Sequence, residues 1–151
     1  MSATHSLYLN DAARDWRTSR LDDVSAFHQS MPGYTPTRLV EVPELAAELG
    51  VAAVYVKEEA SRLGLPAFKI LGASYAISRA LSTRVGSASA LSLETLREAL
   101  IDQAPVTLIA ATDGNHGRAV AHTARLLGLS ARIFTPADIT DAAKRAIEAE
   151  G

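Results

Sequence analysis

Hydrophobic positions recur along the chain with two different periods, and the switches between them mark out the elements. Leu45 and Leu49 lie four apart behind Pro43 and Glu44, which predicts a short helix stopped by Gly50. Residues 51–57, rich in Val and Tyr, predict a strand that runs into Glu58 and Glu59. Ala73, Ala76, Ile77, Ala80 and Leu81 form one face of a helix that begins at 69–72 and ends near Arg84. Ser92 can cap a helix over 93–103, with Glu94 in its first turn and Leu96 and Leu100 at helical spacing. Residues 106–110, a continuous apolar run, and 130–134 read as two apolar strands; 117–127, closed by Gly128, and 138–150 read as helices. Strand, helix, strand, helix at this spacing is a βαβα unit. Strands apolar throughout predict an α/β fold with a parallel sheet and helices over both faces, a three-layer αβα arrangement.

The connectors are equally legible. Residues 31–37 hold two prolines and a glycine and predict a turn or extended link. Gly64 and Pro66 make 60–68 a loop, and 86–90 is a small, polar linker. Residues 1–22 mix charge with isolated apolar side chains and read as an arm that folds only by packing on something else. The chain stops after a helix, where an α/β protein would enter another strand, so the expectation is a segment of something longer.

Composition narrows the chemistry. The chain has 151 residues, 48% of them hydrophobic, enough to build a core. It has no cysteine, which removes disulfides, a thiolate nucleophile and cysteine metal sites. Fifteen basic against 17 acidic residues, without a basic block, argue against nucleic acid. The apolar runs are too short for a membrane span, and the N-terminus has no secretory pattern, so a cytoplasmic location is expected. Only three of the basic residues are lysines: Lys57, Lys69 and Lys144.

Two segments can carry chemistry. The loop 111–117 (Ala-Thr-Asp-Gly-Asn-His-Gly) joins a buried strand to a helix start, where open α/β sheets bind ligands and where helix amides face anions. Its bland alternative is a capped turn, with Asp113 or Asn115 accepting the helix amides and His116 merely packing. Lys69, flanked by Phe68 and Ile70, can be partly desolvated and so reactive toward a carbonyl. Its alternative is a lysine whose stem covers apolar surface. Lys57 is expected in an ion pair and Lys144 in solvent. The histidines His5, His28, His116 and His122 lack metal-ligand spacing, so no metal site is expected. Glu58 and Glu59, adjacent on a strand, point to opposite faces and make a poor catalytic pair.

Both segments resemble one family. Residues 56–59 and 63–73, with Ala67-Phe68-Lys69-Ile70-Leu71-Gly72 at their centre, resemble the lysine region of fold-type II pyridoxal-phosphate enzymes. Residues 111–118 resemble the cofactor-facing asparagine loop of that family, and 27–37 its opening segment. Ile-Leu-Gly after the lysine and Asp113 in the loop are most similar to the diaminopropionate ammonia-lyase branch. Arg38, where the family usually has Pro, departs from the pattern and implies a small change in the opening turn.

The resemblance implies that Lys69 holds pyridoxal phosphate and takes part in proton transfer. It implies that Asn115 bonds the cofactor's ring hydroxyl, that Thr112 and amides near His116 hold the substrate carboxylate, and that Asp113 is an acid/base group. The implied reaction is α,β-elimination from 2,3-diaminopropionate to pyruvate and ammonia; a serine/threonine dehydratase-like lyase and a non-catalytic small-molecule-binding domain are the alternatives. It also implies a small-molecule amino-acid substrate and a homodimer in the full-length enzyme. The expected division is an arm over 1–26, the opening segment, first strands and lysine region over 27–71, and a smaller α/β lobe with the asparagine loop over 72–151. The family's glycine-rich phosphate loop and a second acidic residue would follow residue 151, so the 151-residue chain alone is expected to bind the cofactor weakly and not turn over.

Overall fold

A computed structural model describes Asp15 and residues 24–151. The expected arm over 1–22 lies, apart from Asp15, outside the described residues. Ten elements follow in order: α1 (Val24–Gln29), β1 (Leu39–Glu41), α2 (Pro43–Leu49), β2 (Tyr55–Lys57), α3 (Lys69–Arg84), α4 (Leu93–Ala99), β3 (Thr107–Ala111), α5 (Asn115–Leu127), β4 (Ser130–Phe134) and α6 (Asp141–Glu148). The expected boundaries at 26/27 and 71/72 fall inside α1 and α3. One apolar cluster, from Phe27 and Met31 through Leu63, Leu65 and Ile70 to Leu127, joins the two sides. No helix among the described residues is long and apolar enough to cross a membrane.

Local chemistry sets several ends. Pro43 opens α2, and Gly50 closes it in the left-handed conformation at φ 66°, where its amide reaches back to the helix carbonyls. Gly128 closes α5 in the same way at φ 71°. Ser92 caps α4 by accepting the Thr95 amide, and Thr140 caps α6 by accepting that of Ala143.

β1 and β2 pair antiparallel, with Leu39 opposite Lys57 and Glu41 opposite Tyr55. β3 and β4 pair parallel through α5, with Thr107 opposite Ser130 and Ala111 opposite Phe134. This βαβα unit gives the α/β class its substance. Among the described residues α5 packs on both strands and, on its own flanks, against α3 and α6. Leu108, Ala110 and Ile133 turn into the core, while Ile109 is 66% and Phe134 55% exposed on the other face. On β4 the exposed face also carries Ser130 and Arg132, an alternation visible in the sequence, whereas on β3 the exposed Ile109 sits between Leu108 and Ala110 and gives no such signal.

The buried stripe of α3 also differs from the predicted one. Ala73 and Leu81 are buried, but Ala76 and Ala80 are exposed, and Ser74, Ser78 and Ser82 are fully enclosed instead. Two of these serines fasten the linker before α4: Ser78 Oγ donates to the Leu91 carbonyl at 2.7 Å, and the Leu91 amide donates to Ser82 Oγ at 2.9 Å. A small hydroxyl with a backbone partner packs as tightly as an alanine and leaves no polar atom unpaired.

Candidate active site

Lys69 is the first residue of α3, and Asn115 the first of α5, and these two helices pack along each other. Lys69 is exposed. Its neighbour Phe68 is also exposed, and only Ile70 is buried, so the flanking side chains do not enclose the amine as the sequence suggested. Among the described residues Lys69 has no hydrogen-bond or ion-pair partner. The other two lysines are engaged. Lys57 Nζ donates to the Thr37 carbonyl oxygen instead of forming the expected ion pair, and Lys144, half-buried, lies 3.9 Å from Asp141.

The 111–117 loop resolves against a capped turn. Gly114 occupies the cap position of α5, and no side chain caps the helix; neither Asp113 nor Asn115 takes that role. Arg118 is the first residue of α5 to donate back, to the Gly114 carbonyl, so the amides of Asn115, His116 and Gly117 precede the first bond of the helix. Asn115 and His116 belong to the first helical turn, two residues earlier than the apolar periodicity places its start. Both are exposed, as is Asp113, whereas Thr112 is half-buried and donates its amide to the Phe134 carbonyl.

Gly117 serves close packing. A Cβ there would stand 2.8 Å from Thr112 Cγ2 and 2.9 Å from Ile133 Cγ2, so a bare Cα lets the loop fold onto the helix. Three of the site residues, Thr112, Asp113 and His116, line concavities. Thr112 and Asp113 line a cleft of about 450 Å³ at the carboxyl ends of β3 and β4, with Phe134 and Pro136. His116 lines a separate groove of about 310 Å³ between β3 and the Ala73–Ala76–Ala80 face of α3. Lys69 lies one turn before Ala73 on that face.

Two charged networks escaped the sequence reading. Arg62, buried, donates to both Glu59 carboxylate oxygens at 2.7 and 2.6 Å, to Thr37 Oγ1 at 2.6 Å and to the Thr35 carbonyl at 3.2 Å. The Arg62 hydrogen bonds hold the Glu59 carboxyl down to about 2 against the opposing effect of burial. Glu58 pairs with Arg38 at 2.8 Å, so the two adjacent carboxylates engage different partners and Arg38 ties the opening turn to the end of β2. Near the end of the chain Glu150 accepts from Arg118 at 2.6 Å and lies 2.9 Å from His122 Nδ1, which fastens the residues after α6 to α5. Burial pushes the Glu150 carboxyl up, but Arg118 and His122 outweigh it and the net direction is down. The only sequence signal for Arg62 was a cation set among Leu63, Leu65 and the prolines.

Residues 30–151 match the family described as pyridoxal-phosphate dependent enzyme. The chain belongs to that family. It is 43% identical over 111 residues to diaminopropionate ammonia-lyase of Escherichia coli strain K12, a match that covers 73% of this chain and 27% of that protein. The E. coli lyase structure in complex with D-serine superposes with a TM-score of 0.77 at 39% identity, covering 85% of this chain and 33% of that one. The same lyase in complex with an aminoacrylate–PLP azomethine reaction intermediate gives 0.70 at 36%, covering 85% and 31%. The chain thus spans about a quarter to a third of the length of these relatives. The family's cofactor is pyridoxal phosphate, and the donor set fits it: an exposed amine suits an aldehyde, and an uncapped helix start suits a polar, anionic group.

Proposed function

We propose that this chain provides the lysine and asparagine-loop segments of a diaminopropionate ammonia-lyase, which with one water converts 2,3-diaminopropionate to pyruvate and two molecules of ammonia. The observation that carries the reading is the packing of α3, opened by an unengaged lysine, along α5, opened by an uncapped asparagine loop. Similarity to the E. coli lyases supports the substrate.

Pyridoxal phosphate, when bound, supplies an electron sink for the pair left by the departing α-proton. Lys69 Nζ would hold the cofactor through its aldehyde and would carry protons at the reacting carbon. The Asn115 side-chain amide would hold the ring by its hydroxyl. The Thr112 hydroxyl and the free amides near His116 receive the substrate carboxylate, where partial positive charge at the α5 start favours an anion. The Asp113 carboxylate takes the α-proton of the D-isomer or hands a proton to the leaving amine. The same reading makes the full-length enzyme a cytoplasmic homodimer.

The test is covalent mapping joined to activity. Reduction of the full-length enzyme with borohydride in the presence of pyridoxal phosphate, followed by peptide mass spectrometry, should label Lys69 and leave Lys57 and Lys144 unmarked. In the full-length enzyme Asp113→Asn should slow pyruvate release from D- more than from L-diaminopropionate while the cofactor stays bound. A label confined to Lys57 or Lys144, or wild-type turnover of both isomers by the variant, refutes the assignment.

A further inference from the structure

The segment that delivers Lys69 is built under constraint. β2 ends at Lys57, and the chain then turns back on itself at Arg62–Leu65, closed by the Leu65 amide donating to the Arg62 carbonyl at 3.0 Å. Leu63 sits at φ 52° and Gly64 at φ 79°. Leu63 is the one non-glycine residue with positive φ among the described residues, in a region where its Cβ crowds the backbone. It stays there because its side chain is buried, 8% exposed, in the same cluster as Leu65 at 3% and Ile70 at 0%. Only Pro66, Ala67 and Phe68 separate Leu65 from Lys69, and proline fixes one of their φ angles. Little slack remains between the turn and the amine.

We propose that Arg62 is a positioning residue for Lys69: with Glu59, Thr35 and Thr37 it locks the strained turn in one register, so that α3 starts where the amine is needed. This rests on reading Lys69 as the cofactor lysine. The guanidinium divides its donors between the end of β2 and the opening segment, so the residue that starts the turn is tied to two separate stretches of chain that precede it. Two bonds go to Glu59, just after β2, and two go to Thr35 and Thr37 in the opening segment. A buried ion pair is a poor source of stability compared with an apolar filling of equal volume, but its fork geometry admits a single arrangement. That is what a turn containing an unfavourable leucine requires. An apolar side chain at position 62 could fill the space and still leave the turn free to relax, carrying the start of α3 with it.

The experiment, on the full-length enzyme, measures how fast borohydride fixes pyridoxal phosphate on Lys69, with acylation of Lys144 by a small anhydride in the same digest as the internal standard. Arg62→Met, which removes every donor, should lower the Lys69 rate about tenfold or more, since loss of alignment by an ångström has effects of that order. Arg62→Lys, with charge but no fork, should fall between, and Glu59→Gln is the milder variant should Arg62→Met not fold. The Lys144 rate should stay constant throughout, whereas general loosening would move it. Unaltered Lys69 rates in folded Arg62→Lys and Glu59→Gln overturn the proposal while leaving the cofactor lysine in place. Absence of a Lys69 label in the unsubstituted protein overturns the lysine assignment and the clamp with it.

Discussion

At position 117 the space for a side chain is already taken by Thr112, Ile133 and, at 3.3 Å, Ile147. Gly117→Ala should therefore push the asparagine loop off α5 and cost about 1–3 kcal/mol, as overpacking does. Thr112→Ser, which removes the nearest methyl, should return part of that loss in urea unfolding; an unchanged midpoint for Gly117→Ala would contradict the packing account. Glu59 gives a prediction in pH. Its folded carboxyl sits at about 2 against an ordinary 4.5, so the unfolded chain binds the proton more readily. The pair's contribution is complete above about 4.5 and is lost as pH falls from there toward 2. Its size is of order 2 kcal/mol, discounted for partial exposure. Glu59→Gln should flatten the acid limb of stability against pH within that window, and an unaltered limb would count against the ion pair. Neither residue's role could be read locally, because each depends on partners that the fold brings in from elsewhere.

Among the elements, α2, α3 and β4 were legible almost to the residue. Proline and glycine punctuate α2, and Gly128 and Pro136 bound β4. α4 and α6 are shorter than their apolar spacing suggests, since spacing records which side chains could face a core and not where backbone bonding stops. α1 and β1 carried no strong period: α1 has six residues and β1 three, less than two turns or one full alternation. α3 shows why a hydrophobic tally misplaces a buried face. Its enclosed serines count as polar, yet they are the residues that hold the 87–91 link. Ser82→Ala should strand the Leu91 amide without its acceptor and cost about 1–3 kcal/mol in chemical denaturation. Thr83→Ala, one residue on and exposed, should cost far less. Equal losses at the two positions would show that the Leu91 bond carries no weight.

For the molecule as a whole, sequence by itself determined what depends on neighbours along the chain. Helix stops at Gly50 and Gly128, the cap at Ser92, the βαβα order, three lysines, and one polar loop between a strand and a helix all follow from turn chemistry and periodicity. The family resemblance followed from two such local strings. Tertiary structure decided what depends on residues far apart: that β1 and β2 run antiparallel, that Ile109 and Phe134 share the exposed side of the parallel pair, that Asp113 and His116 look into different hollows, and that Arg62 grips both Glu59 and the segment more than twenty residues before it. A hydrogen bond or a van der Waals contact acts over a few ångströms of space, whatever the distance along the chain, so only the folded path says which groups meet.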